Sequence, residues 1–147
     1  MGSVHAAAGG DEGLLRLAEA WHRRVVADEV VGHAFRHGVH PDHTARLAAY
    51  WGEVLGGPPA YSQHVADESS VVRRHSGNGE HDDMDRRAIA CFDAALEEAG
   101  LVAQPLRQVL HDYFTWATSS VARFRRSADD VPDGLVTPRW SWDGLQG

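Results

Sequence analysis

The chain has 147 residues, 43% hydrophobic and 24% charged, which suits one domain with a substantial core. Its net charge of -7 argues against a nucleic-acid partner, no apolar run approaches the roughly 18 residues of a membrane span, and the single cysteine, Cys91, excludes an internal disulfide framework. Ten histidines are many for this length, and histidine is the commonest metal ligand and the side chain most easily switched near neutral pH.

Residues 1–10 are small and glycine-rich and carry no basic start followed by an apolar run, so a flexible segment without a secretory signal is expected, and with it a cytoplasmic protein. Asp11 and Glu12 favour a helix start. Leu14, Leu17, Ala18, Trp21 and Val25 recur at spacings of three and four, an amphipathic helix with His22 near the edge of its apolar face. Residues 28–35 read as a short helix or a turn weakened by Gly32. The histidine-rich stretch from His33 to His43 reads as a loop. Pro41 and Asp42 introduce the next helix, whose face is Leu47, Tyr50, Trp51 and Val54 and whose end is Gly56-Gly57-Pro58-Pro59.

Residues 60–82 show no strong period, with a turn or two of helix expected over Ala66 to Val72. A third long helix starts near Asp82 or Asp83, faces the core with Ala88, Ile89, Phe92, Ala95, Leu96 and Ala99, and stops at Gly100. Pro105 opens a fourth, with Leu106, Val109, Leu110, Tyr113, Ala117, Val121 and Phe124 on one face and Arg123, Arg125 and Arg126 at its negative end. The tail from Ser127 to Gly147 is polar, yet Trp140 and Trp142 suggest that part of it packs back. The expected organisation is a flexible segment over 1–10, an all-α domain over 11–126, and a tail over 127–147, partly packed or disordered. No strands are expected.

One stretch points to chemistry. Gly56-Gly57-Pro58 is followed by Tyr61-Ser62, then by a basic residue directly before His75, and Cys91 lies sixteen positions beyond His75. This pattern resembles a truncated haemoglobin, the short bacterial globin with a two-over-two helical sandwich, and its group II form in particular. The resemblance spans about Leu14 to Phe124. It implies haem b as cofactor, a diatomic gas (O2, NO or CO) as ligand, and His75 as the proximal ligand of the haem iron. It makes Arg46 a partner of the haem propionates, Phe35 the aromatic wedge, and Leu47 the apolar residue over the distal face; Arg73 and Arg74, directly before His75, could hold propionates as well, and Tyr61 is core or pocket wall. His43 aligns with the distal gating position, although a helix-start histidine in water fits the residues equally well. His22 stands where the family usually has tyrosine; it either donates a hydrogen bond, binds iron, or is simply an edge-of-core histidine.

Two further departures bear on the chemistry. Ala88 replaces the tryptophan usual in the family's third long helix, which implies a roomier pocket, and Ser76-Gly77-Asn78-Gly79-Glu80 replaces the usual apolar segment after the proximal histidine. Redox chemistry of an NO dioxygenase-like or peroxidase-like kind is therefore an open expectation, with an unknown electron donor and a monomer or homodimer as the assembly. Two other readings stand beside the globin. One is a helical interaction module with a decayed haem pocket. The other is a metal-binding helical protein using His33, His37, His40 and His43, against which Gly38 and Pro41 interrupt any common helix.

Overall fold

The computed structural model describes residues 2–147. Leu14, Leu17, Ala18 and Val25, each no more than 1% exposed, form the inner face of helix α2 (Gly10–Ala27). That helix packs on α3 (His43–Val54) and on α6 (Asp82–Glu98), and α6 packs on α7 (Leu106–Val121). The result is two helices over two, as the apolar stripes anticipate. Between α2 and α3 lies a 3-10 turn (Val31–Phe35), which resolves the ambiguity of residues 28–35; the Asp28 carboxylate accepts the amides of Val30 and Val31 at its start. No helix among the described residues is long and apolar enough to cross a membrane.

The core is bound by aromatic edges. Phe92 of α6 stacks on Phe114 of α7 at 4.2 Å and 8°, and Trp51 of α3 meets Phe92 edge-on at 5.5 Å. Trp21 of α2 completes the group against Phe114 at 5.6 Å. Each long helix thus contributes one ring, a geometry in which edge and offset contacts add to plain burial.

Three expectations need correction. Residues 3–10 are not a flexible segment: Val4–Ala7 form helix α1, capped by the Ser3 hydroxyl accepting the Ala6 amide at 3.0 Å. Val4 and Ala8 are buried and the His5 amide donates to the Leu55 carbonyl at 2.9 Å, so small residues here serve close packing rather than flexibility. Helix α7 ends at Val121, short of Phe124. Beyond it the backbone is given to a neighbour: Gly77 donates to the Phe124 carbonyl at 3.0 Å and Gly79 to the Arg125 carbonyl at 2.9 Å. Arg123 still serves the helix end, donating to the Ser120 carbonyl at 2.6 Å. Finally, the tail carries a two-residue antiparallel hairpin, β1 (Trp140–Ser141) with β2 (Gly144–Leu145). The Asp143-Gly144 pair is its local signature, too short for an alternation to reveal.

The tail packs back at several points. Trp140 lies 5.8 Å from Tyr113 and 5.4 Å from Trp116, ring to ring. The Trp142 indole donates to the Gly2 carbonyl at 2.7 Å, and Arg139 donates to the Glu53 carbonyl at 3.1 Å.

The break after α3 positions the next short helix. Gly56 adopts φ +101°, a left-handed conformation that favours glycine at a helix end. Glu53, 2% exposed, then accepts both the Ser62 amide at 2.8 Å and the Ser62 hydroxyl at 2.6 Å. These two bonds give the Tyr-Ser pair a physical reason: they clamp helix α4 (Ala60–His64) onto the end of α3. Ser62→Ala is expected to cost about 1–3 kcal/mol, because one oxygen of a buried carboxylate loses its partner. Urea unfolding with an unchanged m value, at a lower midpoint, would register it.

Candidate functional site

His75 follows directly on helix α5 (Glu68–Arg74) as its C-cap residue. The helix starts where the Asp67 carboxylate accepts the Ser70 amide at 2.9 Å, a side-chain cap, and Val71 and Val72 seat it in the core. The His75 ring bonds through Nδ1 to the Val71 carbonyl at 2.8 Å. A carbonyl only accepts, so Nδ1 carries the proton and Nε2 presents a lone pair. The ring is reachable from solvent, yet protein crowds it enough that burial pushes its pKa below the ordinary histidine value; the Val71 bond opposes this, while Arg74 and His81 add to it. A neutral imidazole with one oriented lone pair is the species that ligates a metal.

Arg74 directly precedes it, and Arg74 and Arg46, neither with an ion-pair partner among the described residues, lie near Tyr61. Both act on Tyr61, whose pKa is pushed up by burial and drawn back by the two guanidiniums. Arg73, by contrast, is engaged: it pairs with Asp133 at 2.5 Å. Of the two arginines preceding His75, both expected to be able to hold a carboxylate, Arg73 is thus taken by Asp133 and Arg74 has no ion-pair partner among the described residues.

On the other side of α3, the His22 and His43 rings approach to 5.0 Å between centroids, and Phe35 closes a triangle at 5.6 and 5.7 Å. His22 Nδ1 and His43 Nε2 are buried and have no hydrogen-bond partner. Such orphaned polar atoms are uncommon in a folded protein and mark a place where a ligand or water completes the bonding. Burial lowers both pKa values, with His22 adding to the effect on His43. His43 thus turns inward from the helix start. Leu47, one turn on, is half-buried against the core, as is Phe35.

The loop histidines separate from this group. His33, His37 and His40 are exposed, and His40 accepts the Asp42 amide through Nδ1. Among the described residues no three His, Cys, Asp or Glu side chains gather to hold a metal ion, which corrects the histidine-cluster reading. Cys91 is partly buried, and burial raises its pKa, the behaviour of a packing residue.

Ala88 is buried, and its carbonyl accepts the Trp21 indole at 3.1 Å. The Trp21 indole of α2 is thus tied to the backbone of α6 at the position where the family's bulky ring is missing. Its N–H is spent on backbone and is no donor to a ligand. Two surface clefts, of about 230 Å³ beside Leu15, Ala48 and Pro58 and about 260 Å³ beside Arg16 and Glu98, share none of the residues around His75.

Buried acids went unnoticed in the sequence. Glu68, on the first turn of α5, accepts the Tyr50 hydroxyl at 2.8 Å and is 6% exposed. Burial pushes its pKa up to about 7, opposed by the Tyr50 bond and by Arg123, with Glu53 and Asp67 reinforcing it. A charged residue at an otherwise apolar position, such as Glu53 beside Tyr50, Trp51 and Val54, is the one local signal that could have pointed to them. A carboxyl with a folded pKa near 7 and an unfolded value near 4.5 holds its proton more tightly in the folded chain. Its favourable contribution is complete below the unfolded value and is lost as pH rises through about 7. Glu68→Gln keeps the acceptor for Tyr50 and removes the titration. The melting temperature of the variant minus that of the parent should therefore grow from pH 5 to pH 8.5, measured by thermal denaturation in matched buffers.

A family model described as bacterial-like globin matches residues 3–119. The chain belongs to that family. Comparison with curated proteins gives no match. Among solved structures, the globin is similar to the haemoglobin of Chloroflexus aurantiacus, with a TM-score of 0.71 and 24% identity over 83% of this chain and 98% of the other. It is similar to a thermostable haemoglobin of Thermobifida fusca, with a TM-score of 0.69 and 24% identity over 82% and 96%. It is also similar to the group II truncated haemoglobin of Bacillus anthracis, with a TM-score of 0.69 and 14% identity over 82% and 95%. These likenesses fix the two-over-two truncated-globin fold. Globins are haem proteins, and the residues here suit the group: a lone pair at His75, two unpaired guanidiniums near Tyr61, half-buried Phe35 and Leu47, and two orphaned imidazole nitrogens.

Proposed function

We propose that this globin binds haem b through Nε2 of His75 and takes a diatomic gas (O2, NO or CO) on the opposite face, beside His22, His43 and Leu47. The observation that supports this is the Val71–His75 bond of 2.8 Å, which commits one ring nitrogen and leaves the other with a free lone pair. Haem, when bound, would supply an iron able to take a small gas. Everything else falls to the chain. Val71 fixes the imidazole tautomer and azimuth. Because its carbonyl is neutral, it lends the ring less basicity than a carboxylate partner would, which favours reversible gas binding over peroxide cleavage. Arg46, Arg74 and Tyr61 hold the propionates. Phe35 and Leu47 exclude water. His22, where the family usually has tyrosine, and His43 would be the polar groups facing the gas, and either unpartnered imidazole nitrogen could instead ligate the iron in the resting protein.

The test is a Soret-region titration of the purified chain with haemin. The expected result is a sharp band that shifts with dithionite and again with carbon monoxide, and a six-coordinate ferric spectrum that becomes five-coordinate or water-bound in His22→Leu or His43→Leu. A parent spectrum lacking that six-coordinate form would remove the distal-histidine part. The second reading is a helical interaction module with a decayed pocket, favoured by the exposed position of His75 and by the absence of the family's tryptophan at Ala88. A chain that refuses haemin would support it.

A further inference from the structure

We propose that the segment Val131–Leu135 is a strap that sets the orientation of His75, with Ser69 and Asp133 as positioning residues; this rests on the haem reading above. The strap lies beyond residues 3–119, the part shared with the family. Helix α5 has seven residues, well below the roughly 12–15 at which an isolated helix is even marginal. Its pose is therefore set by what it packs against, and among the other elements that is chiefly the 3-10 turn Ala128–Asp130 that leads into the strap.

The contacts are specific. Ser69 is 1% exposed, and its hydroxyl works in both directions: it donates to the Pro132 carbonyl at 2.8 Å and accepts the Leu135 amide at 3.1 Å. Arg73, one helical turn further, donates to the Val131 carbonyl at 3.3 Å and to Asp133 at 2.5 Å. The strap thus crosses α5 at two points four residues apart. Between them sits Val71, whose carbonyl holds His75 Nδ1. On the far side, Gly77 and Gly79 are tied to the carbonyls of Phe124 and Arg125. The imidazole is bracketed from both directions by chain that lies beyond α7. Ser76 to Gly79 has no apolar side chain to anchor itself, so this bracketing replaces packing that the segment cannot supply.

The experiment uses the full chain loaded with haemin, as the parent, Ser69→Ala, Ser69→Ala/Asp133→Ala, and Arg139→Ala. The last cuts the tail's bond to the Glu53 carbonyl without touching the strap. The expected result in the double variant is amide exchange over residues 69–76 and haem loss each faster by about tenfold, the scale of a lost supporting partner. The iron–histidine stretching band of the ferrous protein, read by resonance Raman, should shift or broaden there and stay put in Arg139→Ala. If Ser69→Ala does not fold, the near-isosteric Ser69→Cys carries the same test. A band unmoved in the double variant, whatever its exchange or stability, overturns the strap as a positioning device while leaving the haem site standing. A parent chain that takes no haemin overturns the haem reading itself, and this inference with it.

Discussion

His75→Gly is expected to lose the anchoring of haem iron. Among the described residues the ring is the one imidazole tied through a ring nitrogen to a backbone carbonyl at a helix end, and Arg74 directly before it has no ion-pair partner there. Losing a supporting partner of a metal ligand costs up to about 100-fold in affinity, so losing the ligand should cost at least that much. The fold should survive, since the ring reaches solvent and packs no core; a circular dichroism spectrum matching the parent would establish it. The glycine leaves a ring-sized gap beside a Val71 carbonyl that still accepts a hydrogen bond. Free imidazole at millimolar concentration should therefore restore the parent Soret band. If the variant binds haemin as tightly as the parent with an unaltered spectrum, His75 has no role in holding iron. Residual binding that disappears when His43→Leu is added would trace it to the distal imidazole.

Phe92→Ala is expected to remove about 3–5 kcal/mol of stability, the usual cost of truncating a buried phenylalanine. That is a large part of the 5–15 kcal/mol typical of a whole domain. Phe92 is 1% exposed and stands where three helices meet, stacked on Phe114 and edge-on to Trp51. The cavity left behind is walled by rings held from α3 and α7, and rings so fixed relax into a void poorly. The melting temperature should fall by roughly 10 °C. A drop of less than about 3 °C would mean that the four-ring cluster does not organise the core. Haem binding should weaken in parallel, because Trp21, which belongs to the same cluster, covers Ala88.

Much of this molecule is legible residue by residue. The faces of α2, α3, α6 and α7 follow from apolar spacing, because a helix repeats every 3.6 residues whatever it packs against. Gly56, Gly100 and Pro105 mark helix boundaries through backbone geometry that is equally local. The Gly-Gly-Pro and Tyr-Ser pattern, and His75 at its spacing, identified the family and the ligand candidate. What stayed hidden has a common character. Glu53 with Ser62 and Glu68 with Tyr50 are bonded over 9 and 18 positions, Ser69 with Pro132 over 63, and Trp142 with Gly2 over 140. Trp21 lying against Ala88 and His22 meeting His43 belong with them. Periodicity records which way a residue faces along its own element, not which distant residue it will meet. The sequence by itself therefore determined the four long helices, most of their ends and the iron-binding candidate. Only the tertiary structure decided that the first residues form a packed helix, where α7 stops, which buried carboxylates are satisfied, how the tail grips α5, and what the Trp21 indole bonds to, since those depend on how separately encoded faces come together.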